Sequence, residues 1–131
     1  MEPNILIVID NDSSIQMMAE LIAAAFSQSR IVKADSFVGS DLLDAHIYFF
    51  GCKEPSPFSF NHVEKVLQHV NLAGRSCGIF SLDSEQAIAY LKRILLDSEL
   101  TVYPQAFLSD SMENLEAWAS RIVNVQGNDN V

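Results

Sequence analysis

The chain has 131 residues, 49% of them apolar and 19% charged, which is enough for one buried core and too little charge for a disordered chain. A formal net charge of −9 argues against a nucleic-acid partner, since no face could easily neutralise phosphates. No basic n-region precedes the apolar run at residues 5–9, and that run is too short for a signal peptide or a membrane span, so no membrane role is expected.

Residues 5–9 (Ile-Leu-Ile-Val-Ile) form a continuous apolar run ending at Asp10, the pattern of a parallel strand buried on both faces. Ile15, Met18, Ile22, Ala25 and Phe26 then recur at helical spacing, and Ser13 with Gln16 makes a capping-box pattern at the start of that helix. Residues 30–33 predict a second strand and residues 45–51 a third, central in character. Asn61 and Glu64 open a helix with Val63, Val66, Leu67 and Val70 along one face. A fourth strand runs from near Ser76 through Gly78-Ile79-Phe80, followed by a helix carrying Ala87, Ile88, Leu91, Ile94 and Leu95. Pro104 interrupts a fifth strand at residues 99–108, which places it on an edge. Asp110 with Glu113 caps a last helix bearing Leu115, Trp118, Ala119 and Ile122. Residues 1–125 therefore read as one domain and residues 126–131 as a disordered tail.

Strand–helix alternation with short loops requires crossovers, hence an α/β fold with a parallel sheet covered on both faces. Five strands favour the order 2-1-3-4-5, with any ligand lying beyond the carboxyl ends of the strands where the order reverses. Those ends are residues 10–15, 51–60 and 81–84.

Across residues 4–125 the sequence resembles a short-chain flavodoxin. The resemblance rests on Met18-Ala19-Glu20-Leu21-Ile22-Ala23 in the first helix, Asp41-Leu42-Leu43 with Ala45 and Phe50-Gly51-Cys52 around the third strand, Ala73-Gly74-Arg75 before the fourth, and the ending from Phe107-Leu108 through Leu115 and Trp118 to Ile122. It implies a flavodoxin-like three-layer α/β/α sandwich, a noncovalently bound FMN, and electron transfer as the activity, with no catalytic residues of the chain's own. The net charge of −9 reads first as a solubility device and second as steering towards a basic redox or regulatory protein partner. The family's phosphate loop, roughly Thr-x-Thr-Gly-Asn-Thr, wraps the FMN phosphate at a helix N-terminus. Matched residue by residue it falls on Asp10, Asn11, Asp12, Ser13, Ser14 and Ile15, so the glycine is replaced by Ser13, the last threonine by Ile15, and a carboxylate stands at Asp12, which either repels the phosphate or turns away to cap the helix. The second flavin loop includes Cys52 and Phe58, where Phe58 is either a stacking ring or, with Phe60, an anchor that pins the loop to the core. The third reduces to Ser81, Leu82, Asp83 and Ser84, without glycine or aromatic.

Two readings follow: a divergent flavodoxin-like protein with weakened or lost FMN binding that acts through protein contacts, or a working flavodoxin with altered loops. The run Ile7-Val8-Ile9-Asp10-Asn11-Asp12 also looks like the start of a response-regulator receiver domain, but Gly51-Cys52 and Ser109-Asp110 lack that family's phosphoacceptor and lysine. Asp10, Asp12 and Asp83 read as helix caps and solvated strand ends in preference to a cation site, so no metal is expected. His46, His62 and His69 are too scattered for a ligand set. Cys52 and Cys77 have neither CxxC nor metal spacing, and reduced thiols in a cytoplasmic protein are the simplest account.

Overall fold

The computed structural model describes residues 3–129. Strands β1 (Ile5–Ile9), β2 (Ser29–Lys33), β3 (Ile47–Gly51), β4 (Ser76–Ser81), β5 (Thr101–Val102) and β6 (Phe107–Leu108) form one sheet, with helices α1 (Ser13–Ala24), α2 (Ser40–Leu43), α3 (Asn61–Leu67), α4 (Glu85–Leu95) and α5 (Leu115–Asp129) between and after them. The order is β2-β1-β3-β4-β5, with β6 also paired to β4, and every pairing is parallel. This is the expected 2-1-3-4-5 α/β sandwich. The chain cannot hold the fifth strand through Pro104, which lacks an N–H, so the strand splits into two short pieces along the same edge.

β1 and β3 are buried at every position, which is what their unbroken apolar runs require. Alternation along the strands makes two cores. Leu6, Val8, Tyr48, Phe50, Cys77 and Ile79 face the layer containing α3 and α4. Ile5, Ile7, Ile9, Phe49 and Phe80 face α1 and α5, where Trp118 lies against the rings of Phe49, Phe80 and Phe107. The Trp118 Nε1–H donates to the Gln105 carbonyl at 2.7 Å, satisfying its one polar atom.

The capping boxes expected at Ser13, Asn61 and Asp110 are corrected. α1 is capped by Asp12, in line with its reading as a helix cap, and not by Ser13, because Asp12 has extended backbone angles while Ser13 is already helical. Gln16 donates its side-chain amide to Glu20 instead of reaching back. α3 has no side-chain cap, since the 3-10 turn Phe58–Phe60 runs straight into it and leaves Asn61 with helical angles. It ends at Leu67, so Val70 lies beyond it, half-buried against the core. α5 starts only at Leu115; Ser109 and Ser111 accept from the backbone N–H groups of Ser111 and Glu113, making turns where a cap at Asp110 was expected. α5 runs to Asp129, into the segment 126–131 read as a tail, and residues 130 and 131 lie outside those described.

Gly51 matters because it stands where β3 meets the site. A Cβ there would come within 2.3 Å of the buried Phe80 ring. Gly51→Ala should therefore destabilise the chain by about 1–3 kcal/mol, the usual cost of overpacking. Urea unfolding measures it, and adding Phe80→Leu should recover less than the loss because Phe80 also packs on Trp118.

Candidate functional site

The sheet brings the loops after β1, β3 and β4 to one end, at the β1–β3 switch point that doubly wound sheets use for ligands. The first loop is organised by two carboxylates. Asp12 Oδ2 accepts from the backbone N–H of Ser14 at 2.9 Å and of Ile15 at 3.1 Å. These are donors that a helix N-terminus otherwise presents to an anion. Asp10 is only 6% exposed. Its Oδ1 accepts from Asp12 N at 3.2 Å and its Oδ2 from Lys53 N at 2.9 Å, so one carboxylate ties the β1 loop to the β3 loop. Lys53 Nζ lies 3.8 Å from Asp12 Oδ1 across the same gap.

Asn11 is exposed and donates to Asp35 Oδ2 at 3.1 Å, and Ser13 is exposed at the first turn of α1. Ser14 gives its backbone N–H to Asp12. Ile15 is fully buried among Met18, Ile22 and the β1 isoleucines, which makes it a core residue. Positive φ among the non-glycine residues occurs at Ser56, Glu99 and Asn114, so Ser13 has no need of glycine's freedom.

The β3 loop divides its two aromatics. Phe60 is fully buried and meets the Tyr90 ring edge-on, while Phe58 is 89% exposed. The expectation that both pin the loop holds for Phe60 alone. A fully buried phenylalanine is worth about 1.5–3 kcal/mol over an exposed one, so Phe58 contributes nothing comparable to the fold. Cys52 is buried, and burial, with the Asp10 charge second, pushes its thiol up to about 12, which leaves it unreactive. Cys77 is likewise buried and pushed up to about 12.

In the third loop Ser84 caps α4, its Oγ accepting from Ala87 N at 3.0 Å. Leu82 is half-buried and Asp83 exposed. Ser81 is fully buried and its hydroxyl has no hydrogen-bond partner among the described residues. His46, His62 and His69 are all exposed. No three His, Cys, Asp or Glu side chains among the described residues are grouped to hold a metal ion, and Asp10, Asp12 and Asp83 form no such set. No helix among the described residues is long and apolar enough to cross a membrane. A cleft lined by Ile5, Leu6, Ser29, Arg30 and Asp41 lies at the opposite, amino end of the strands, away from these loops.

Sequence reasoning placed these loops together but missed Lys53, whose backbone and side chain both close the site. Its only sequence signal is its position directly after the third strand, and backbone donors leave no mark in side-chain patterns.

No family model matches the sequence, and no curated protein matches it significantly. Solved structures do match in fold. A short-chain flavodoxin associated with a bacterial microcompartment superposes with a TM-score of 0.81 at 13% identity, over 96% of this chain and 99% of that one. Oxidised flavodoxin 1 from Bacillus cereus gives 0.81 at 17% identity, over 92% and 97%. A Fusobacterium nucleatum flavodoxin bound to flavin mononucleotide gives 0.75 at 10% identity, over 94% and 98%. The chain has the flavodoxin-like fold, complete over nearly its whole length. In its first loop the Asp12 carboxylate holds two of the helix N-terminal donors that an anion would otherwise meet.

Burial raises the Asp10 pKa above its usual value; the Lys53 and Asp12 N–H bonds oppose this, the Asp12 charge adds to it, and Lys33 opposes it weakly. A native pKa above the unfolded value favours the protonated native state, so this group's contribution is full below about pH 3.8 and is lost as pH rises through the raised native value. Urea midpoints for wild type and Asp10→Asn between pH 3 and 7 should show wild type losing stability relative to the variant as pH rises through that window. Parallel curves would remove Asp10 as the titrating group.

Proposed function

We propose that this is a divergent flavodoxin-like protein with weakened or lost FMN binding that acts through protein contacts and has no catalytic activity of its own. One observation carries the reading: the Asp12 carboxylate accepts from Ser14 N and Ile15 N, donors that the flavodoxin resemblance assigns to the FMN phosphate. A phosphate about 4 Å from that carboxylate meets roughly 4 kcal/mol of repulsion at an effective dielectric near 20. The exposed Lys53 ammonium offsets part of this, but at 3.8 Å a surface pair is worth little. What remains is on the order of two powers of ten in affinity, at about 1.4 kcal/mol per power.

A working flavodoxin that carries electrons on noncovalent FMN is the second reading. Its support is Phe58, a free ring at the position of a flavin-stacking aromatic. In that case FMN supplies the redox chemistry, and this chain's share is to stack the ring on Phe58 and exclude water from one side. The excess of carboxylates suits a basic partner under either reading.

Titration of the purified chain with FMN, followed by flavin fluorescence, separates the two. Under the first reading there is no quenching at tens of micromolar. Sub-micromolar quenching would establish the second. Asp12→Thr with Ser13→Gly keeps a capping hydroxyl and removes the charge, and should raise FMN affinity at least tenfold. Ile15 is left in place because it belongs to the core. Unchanged affinity in that variant would shift the defect from the phosphate loop to the ring loops.

A further inference from the structure

Phe58 is the most exposed of the large apolar side chains among the described residues. Its loop is tied at both ends. The loop is tied at its start by the Lys53 N–H to Asp10, and at its end by the Phe60 N–H to the Pro57 carbonyl at 2.9 Å. Pro55 and Pro57 restrict the backbone between, and Ser56 adopts a positive φ of 51°. Phe60, two residues on, is sealed in the core, so the turn that buries one ring presents the other. A rigid aromatic loses little freedom when it is covered, which is the property of an interface anchor.

The charge around it narrows the partner. Glu54 is exposed in the same loop. Asp35 is exposed on the 3-10 turn Ala34–Ser36, which packs against the Phe58–Phe60 turn. Asp12 lies across the gap with Lys53 on it, and Lys33 acts on the buried Asp10. Among these residues the carboxylates of Glu54, Asp35 and Asp12 outnumber the ammonium groups of Lys53 and Lys33, and a second copy of this chain, at a net charge of −9, would bring like charge to them.

We propose that Phe58 is the apolar anchor of a docking surface for a protein segment that offers an apolar or aromatic contact flanked by lysine or arginine. This rests on the reading that the phosphate loop is closed by Asp12. Such a partner covers the ring and neutralises Asp35 and Glu54, giving the surface its specificity.

The test is selection of a displayed random-peptide library on the purified full chain, with synthesis of the enriched peptides. Enriched peptides should pair an apolar or aromatic residue with lysine or arginine. Their affinity should fall at least tenfold on Phe58→Ser, recover largely with Phe58→Leu, and weaken with Glu54→Gln or with rising salt. Phe58 is too exposed for Phe58→Ser to disturb folding, and an unchanged urea midpoint checks this. No enrichment, peptides that bind Phe58→Ser equally well, or neutral and acidic peptides would each overturn the proposal. A Phe58-dependent dimer in sedimentation equilibrium would overturn it in favour of a second copy. Sub-micromolar FMN binding would remove the closed-loop reading itself, whereas peptides indifferent to Phe58 with FMN still unbound would remove the docking surface alone.

Discussion

The carboxylate of Asp12 on the backbone of Ser14 and Ile15 is the contact on which this site turns. Helix α1 begins with donors that have no intrahelical partner, and something negative or polar must meet them. The chain meets them from within. Asp10, two residues earlier at the end of β1, takes the next donor at Asp12 and also accepts from Lys53 on the neighbouring strand's loop. Donors of two loops are thus spent on the protein's own acids.

The sheet tolerates this because its stability comes from elsewhere. β1 and β3 are buried on both faces between two cores, one closed by α3 and α4 and the other by α1 and α5 around Trp118. Loop chemistry at the carboxyl ends of the strands is free to change while those cores stay packed, which is why a flavodoxin-like scaffold is kept at 10–17% identity to flavodoxins. Ile15 shows the coupling at its limit. Where the resemblance places a threonine of the phosphate loop, this chain has moved an apolar residue fully into the core.

The two phenylalanines of the β3 loop divide the labour of that end of the molecule. Phe60 ties the loop to the core beside Tyr90, and Phe58 is left in water beside exposed carboxylates. A buried Cys52 with its thiol pushed up to about 12 supplies no nucleophile, and the histidines are scattered on the surface. What this end of the molecule presents to solvent is charge and one exposed ring.

The fold was legible in the sequence because hydrophobic periodicity is local. Unbroken apolar runs marked β1 and β3, three- and four-residue spacing marked α1 and α4, and Pro104 marked the split edge strand, each from residues adjacent in the chain. The position of the site followed from strand order. The caps were harder, since Asp12 and Ser13 are both good capping residues and only the backbone angles choose between them. Three matters were decided by tertiary structure alone: that Asp10 reaches Lys53 across 43 residues, that the serine at position 81 is buried with no hydrogen-bond partner among the described residues, and that Phe58 points out while Phe60 points in. Each depends on which strands lie side by side and on backbone donors, and neither is written in the identity of any single side chain.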